Sequence, residues 1–131
     1  MRKLKGLIII LSILASLFGM TACSDGGANS YEQITPEQAK TIMDTESDFY
    51  LIDARTDEEF AEGHIADAIL IPEYEIAERA EKELPDKNAL ILVYCRSGRR
   101  SKIASEELVK LGYTNVKEFG GIIDWPYEVV K

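Results

Sequence analysis

The sequence predicts an α/β domain: a small, mainly parallel sheet with helices on both faces. Three observations lead there. From residue 31 onward, short apolar runs of strand length alternate with amphipathic stretches of helical period. The most apolar of these runs, Ala89 to Tyr94, shows no polar alternation, as a strand buried on both faces requires. Helix start and stop signals punctuate the runs at short intervals.

The first 22 residues stand apart from that domain. Arg2, Lys3 and Lys5 precede an uncharged run, Leu7 to Met20. The run is shorter than the roughly 20 apolar residues a spanning helix needs, and it fits the core of a secretory signal peptide. Met20-Thr21-Ala22-Cys23 resembles the lipobox of bacterial lipoproteins, with Met where that family usually has Leu. The resemblance implies cleavage before Cys23, lipidation of Cys23, and a lipoprotein held on the extracytoplasmic side of a membrane. The other reading is an ordinary signal peptide cut after Ala22. Either cut removes three basic residues and no acidic one, taking the net charge from −8 to −11. That acidity argues against nucleic acid as a partner. It also argues against adhesion to anionic lipid, so membrane attachment would rest on the lipid alone. Residues 23–30 read as a flexible tether and residues 31–131 as one domain.

Within the domain, Thr35 is an N-cap, Pro36 suits the first helical position and Gln38 completes a capping box, opening a helix to about Asp44. Phe49 to Ile52 is a buried strand. Asp57-Glu58-Glu59 begins a short helix that Gly63 stops. Ala68 to Ile71 is a second strand, ended by Pro72. Glu73 to Leu84 is helical, with Ile76, Ala80 and Leu84 on its apolar side and a solvated acidic face. Ala89 to Tyr94 is the central strand. Ser101 to Leu111 forms an amphipathic helix capped by Gly112, with Ile103, Ala104, Leu108 and Leu111 on one side. Asn115 to Phe119 is the last strand, and Ile122 to Val130 is read as a terminal helix interrupted by Pro126.

The chain has two cysteines, Cys23 and Cys95. If Cys23 carries lipid, Cys95 has no disulfide partner, which marks it as a reactive group or as a buried apolar side chain. Its surroundings favour reactivity. Cys95 follows the central strand, and the loop Arg96-Ser97-Gly98-Arg99-Arg100 leads to a helix opened by Ser101. A turn between a strand end and a helix start can aim backbone N–H groups inward as an anion-binding nest, and the helix dipole adds positive potential. Three arginines would add more, unless they are solvated surface charges. A cysteine so placed is expected to ionise easily.

Tyr94 to Ser101 resembles the active-site loop of rhodanese-homology domains. Other marks stand in order: Asp53-Ala54-Arg55; Glu59-Phe60 and Gly63-His64-Ile65 with Ala68 and Ile71-Pro72; Leu111-Gly112-Tyr113; and Gly120-Gly121-Ile122 with Trp125. The resemblance spans nearly all of 31–131. Asp67 departs from it, standing where the family usually has Gly, at a turn whose geometry Asp tolerates.

The resemblance implies a thiosulfate sulfurtransferase. Cys95 would be the nucleophile that forms a persulfide. Arg96, Ser97, Gly98, Arg99, Arg100 and Ser101 would bind the substrate, and Asp53 and Arg55 would support the site. No metal or organic cofactor is implied. The partners would be a small anionic donor and a thiol or protein acceptor, and a monomer is expected. A persulfide carrier or docking module of the same fold is the alternative. Phosphatases and arsenate reductases of this fold use Cys-x5-Arg, whereas here the sixth residue after Cys95 is Ser101 and the arginine comes one position early. A redox protein would bring a Cys-x-x-Cys pair, which the sequence lacks. His64, the only histidine, is read as structural, because a thiolate needs no general base. Tyr94 and Trp125 are read as core or pocket wall.

Overall fold

A computed structural model of the chain describes residues 30–131. The expected signal peptide, Cys23 and most of the expected tether lie outside the described residues. In chain order the elements are β1 (Glu32–Gln33), α1 (Pro36–Thr45), β2 (Tyr50–Asp53), α2 (Asp57–Glu62), β3 (Ile69–Leu70), α3 (Ile76–Glu83), β4 (Ile91–Cys95), α4 (Arg99–Lys110) and β5 (Val116–Gly121). Short 3₁₀ turns cover Glu73–Glu75 and Ile122–Asp124. The strands form one sheet in the order β1-β5-β4-β2-β3, and every pairing in it is parallel.

β4 lies at the centre, and its side chains feed two cores because successive strand residues face opposite ways. Ile91, Val93 and Cys95 meet Ile76 and Ala80 of α3 and Ala104 and Leu108 of α4. Leu92 and Tyr94 point to the other face, with Leu51, Phe119, Trp125 and Ala39 of α1. Burying each large aliphatic chain stabilises the fold by about 1.5–3 kcal/mol. Covering both faces explains why β4 carries no polar alternation. α1 begins as expected: Gln38 N donates to Thr35 Oγ1 at 3.0 Å, and Thr35 N donates to Gln38 Oε1 at 2.9 Å. Such a cap is worth about 1 kcal/mol.

Several expectations need correction. Residues 122–130 form no terminal helix. Pro126 holds Trp125 extended, at φ −81 and ψ 112, and the chain runs on until Val130 pairs antiparallel with His64. α4 starts at Arg99 rather than Ser101, because Gly98 takes φ 109 and turns the chain into the helix two residues sooner. The stretch 73–84 divides into a 3₁₀ turn and α3. β4 includes Cys95, and β5 runs on through Gly121. β1 has no sequence signal, being two polar, exposed residues. Asp67 takes φ 71, the left-handed conformation that suits glycine and that Asp tolerates.

Candidate active site

β4 carries Cys95 to the C-terminal edge of the sheet, and α4 begins four residues later. Between them the backbone folds back on the sulfur. Gly98 N donates to Cys95 Sγ at 3.0 Å, and the thiol donates to Ser101 Oγ at 3.3 Å. Cys95 is only 1 % exposed. An N–H is aimed at the sulfur, and the start of a 12-residue helix lies beside it.

β5 supports the loop through Gly121, which pairs with Cys95 across the irregular end of the β4–β5 ladder. A Cβ on Gly121 would lie 1.9 Å from the Arg96 carbonyl oxygen, so only glycine lets the loop pass this close. Ile123 N donates to that same oxygen at 3.2 Å.

The three arginines do not act alike. Arg96 and Arg99 are exposed, as is Ser97, and neither arginine joins an ion pair among the described residues. Arg100 instead forks onto Glu59 of α2, Nη1 to Oε1 at 2.8 Å and Nη2 to Oε2 at 2.9 Å. The Arg100 hydrogen bonds hold the Glu59 carboxyl down at a pKa of about 2, against the opposing effect of burial and with help from Thr56. Glu59 in turn raises Arg100, again against burial. The expected cluster of three free positive charges is therefore two, with the third spent on joining α4 to α2. Glu59 also closes a capping box with Thr56 that begins α2.

Asp53 and Arg55 build a separate buried network. Arg55 Nε donates to Asp53 Oδ1 at 2.9 Å, and Nη2 donates to Asp53 Oδ2 at 2.7 Å and to Gly63 O at 2.6 Å. Tyr94 OH donates to Asp53 Oδ2 at 2.6 Å and accepts from Ile65 N at 3.0 Å. These bonds tie β2 and β4 to the chain after α2, and none of them reaches Cys95. Burial first, then the Asp53 charge, pushes the Tyr94 hydroxyl far above its ordinary range. For Arg55, burial works downward but the bond to Asp53 outweighs it, and the guanidinium is held charged. His64 stacks on Phe60 with ring centroids 3.6 Å apart, and its Nδ1 lies 2.9 Å from Phe60 O. It shares no hydrogen bond with Cys95.

One residue of the site escaped the sequence reading. Glu118 on β5 is 2 % exposed and faces α4. Its Oε2 accepts from Ser101 Oγ at 2.5 Å and from Gly120 N at 2.9 Å. Its Oε1 accepts from Gln33 Nε2 at 3.2 Å. The signal was available: Glu118 stands two residues after the inward-facing Val116, so strand alternation directs a charged side chain into the core.

A near-buried thiol at a strand end, a backbone donor aimed at it and two free guanidinium groups nearby suit nucleophilic attack on an anionic electrophile. A family model, the Rhodanese-like domain, matches residues 35–126. The chain belongs to the rhodanese-like domain family. Thiosulfate sulfurtransferase PspE of Escherichia coli (strain K12) is 42 % identical over 80 residues, 61 % of this chain and 77 % of that protein. A sulfurtransferase of Allochromatium vinosum is 42 % identical over 88 residues, 66 % of this chain and 79 % of the relative. A solved rhodanese from E. coli, with anions, superposes with a TM-score of 0.59 at 41 % identity, covering 63 % of this chain and 96 % of that one. The protein is a rhodanese-type sulfurtransferase.

Proposed function

We propose that this sulfurtransferase moves sulfane sulfur from thiosulfate, or a similar small anionic donor, to a thiophilic acceptor through a persulfide on Cys95. The hydrogen bond from Gly98 N to Cys95 Sγ carries the reading: it marks the one sulfur in the described residues that the backbone is folded to receive. Cys95 attacks the outer sulfur of the donor, and sulfite leaves with the electron pair of the broken S–S bond. The loop N–H groups and the α4 N-terminus then stabilise the persulfide anion. Arg96 and Arg99 draw the dianionic donor in, while Arg100 holds the loop through Glu59. Asp53 and Arg55 brace the strand ends from behind.

The test is intact mass after exposure to thiosulfate, followed by a steady-state thiosulfate and cyanide assay. One added sulfur atom, absent from Cys95→Ser, is the expected result. Turnover above the uncatalysed rate identifies an enzyme. A persulfide that forms without turnover identifies a carrier that needs a partner protein. No added sulfur would sink the thiosulfate assignment.

The N-terminal sequence supports a further part of the reading. The chain is a lipoprotein, cut before Cys23 and lipid-anchored outside the cytoplasm, with residues 23–30 as tether and a monomeric domain from residue 31 onward.

A further inference from the structure

We propose that Glu118 is a positioning residue for sulfur transfer: it orients the Ser101 hydroxyl and, through it, receives the proton that Cys95 gives up. The proposal rests on Cys95 as the sulfur carrier.

The geometry is a chain of three groups from three elements. Cys95 Sγ lies 3.3 Å from Ser101 Oγ, and Ser101 Oγ lies 2.5 Å from Glu118 Oε2. Ser101 has one proton and three acceptors within reach: Glu118 Oε2, Gly98 O at 3.1 Å and Gly120 O at 3.4 Å. The Glu118 oxygen is nearest, so it takes the Ser101 proton. Ser101 then offers a lone pair toward Cys95, the sense in which a thiol donates. Cys95, Ser101 and Glu118 are all buried, so water is a poor competitor for that proton.

The groups around the carboxylate come from every element packed on it. Cys95 approaches from β4, Ser101 from α4 and Gln33 from β1. Lys102 of α4 and Asp124 after β5 line the same cleft, and Glu118 acts through space on Tyr31. Ser101, Gln33 and Gly120 bond it directly, and all three are donors.

The chemistry gives such a relay a purpose. In the first half-reaction the Cys95 S–H proton passes to Ser101 Oγ, and the Ser101 proton passes to Glu118. The sulfur lone pair bonds the outer sulfur of thiosulfate, and sulfite departs with the pair from the broken S–S bond. The products are a Cys95 persulfide anion, sulfite and a protonated Glu118. With cyanide as acceptor, thiocyanate leaves a Cys95 thiolate, and Glu118 returns the proton. Thiosulfate plus cyanide becomes sulfite plus thiocyanate with no net proton change. A proton displaced in the first half must be returned in the second, and Glu118 is placed to hold it.

The experiment measures single-turnover persulfide formation from thiosulfate between pH 6 and 9.5, in wild type, Glu118→Gln, Ser101→Ala and Ser101→Thr. Iodoacetamide alkylation of Cys95 is followed in parallel over the same range. At pH 6, Glu118→Gln and Ser101→Ala should be at least tenfold slower than wild type in both reactions. The deficit should shrink toward twofold at pH 9.5, where hydroxide removes the proton directly. Ser101→Thr, which keeps the hydroxyl, should recover most of the rate. Thermal melts separate folding from chemistry; if Glu118→Gln does not fold, the Ser101→Ala and Ser101→Thr pair decides. Glu118→Gln as fast as or faster than wild type at pH 6 would mean the carboxylate only repels the thiolate, and the proposal fails. A deficit of equal size at every pH would mean a purely structural part, and the proposal also fails. If wild type gains no sulfur from thiosulfate, the donor assignment is wrong, while the alkylation arm still decides the relay.

Discussion

At the scale of single residues, the site divides its positive charge between two tasks. Arg96 and Arg99 are free to meet a substrate, while Arg100 is committed to Glu59. Arg96→Ala or Arg99→Ala should raise the apparent KM for thiosulfate a few-fold with little change in kcat. Added salt should mimic part of that rise, because screening weakens exposed charges most. Arg100→Ala should instead lower thermal stability by an amount worth about 1 kcal/mol, as partly exposed pairs do. Arg100→Lys should restore little of it, since lysine cannot fork onto a carboxylate. Steady-state kinetics and melting curves on the four variants check this division; a pure KM effect from Arg100→Ala would overturn it. Cys95→Ala should fold and carry no sulfur, and activity within a few-fold of wild type would remove Cys95 from the centre of the mechanism.

At the scale of elements, the β4–α4 loop passes so close over β5 that Gly121 has no room for a side chain. Gly121→Ala should push the Arg96 carbonyl aside, because its Cβ would otherwise sit 1.9 Å away. Sulfur transfer should fall at least tenfold with a stability loss of about 1–3 kcal/mol; unchanged activity would mean the loop has slack. Inserting one residue between Ser97 and Arg99 should break the Gly98 to Cys95 bond and lower sulfur transfer without creating turnover of aryl phosphates.

The brace between α2 and α4 has a pH signature. Glu59 titrates at about 2 in the folded chain, against an ordinary value of 4.5. A depressed carboxyl contributes stability above its unfolded value and loses it as pH falls through the folded one. The gap in melting temperature between wild type and Glu59→Gln should therefore be full above about pH 4.5 and close toward about pH 2. A gap that persists undiminished at pH 2 would show that Glu59 acts by packing.

What the sequence disclosed follows from locality. The capping box at Thr35, the uninterrupted apolar run of β4 and the Cys95 loop are each written in adjacent residues. Arg100 meeting Glu59, Ser101 meeting Glu118, and Arg96 passing over Gly121 are written 41, 17 and 25 positions apart, so no window of sequence could pair them. The terminal stretch forms no helix because Pro126 stops one at Trp125, where the chain is held extended.

At the scale of the whole molecule, the acidic domain and the N-terminal sequence make a joint prediction. In a bacterial host, labelled fatty acid should enter the wild-type protein and not Cys23→Ser. A soluble, unlabelled wild type would indicate plain secretion. The anchor should leave the chemistry untouched, so protein beginning at residue 31 should match the full chain in persulfide formation.

Wherever copies of a chain meet at high concentration, the borders of its sheet matter. β1 and β3 are its outer strands, and each is two residues long. A long outer strand presents a ladder of open amides on which a neighbour can add a strand, the first step toward fibres. Here that ladder is barely a rung at either side, and Pro72, two residues beyond β3, withholds one more donor. Two such molecules meeting border to border have too few open amides to zip together.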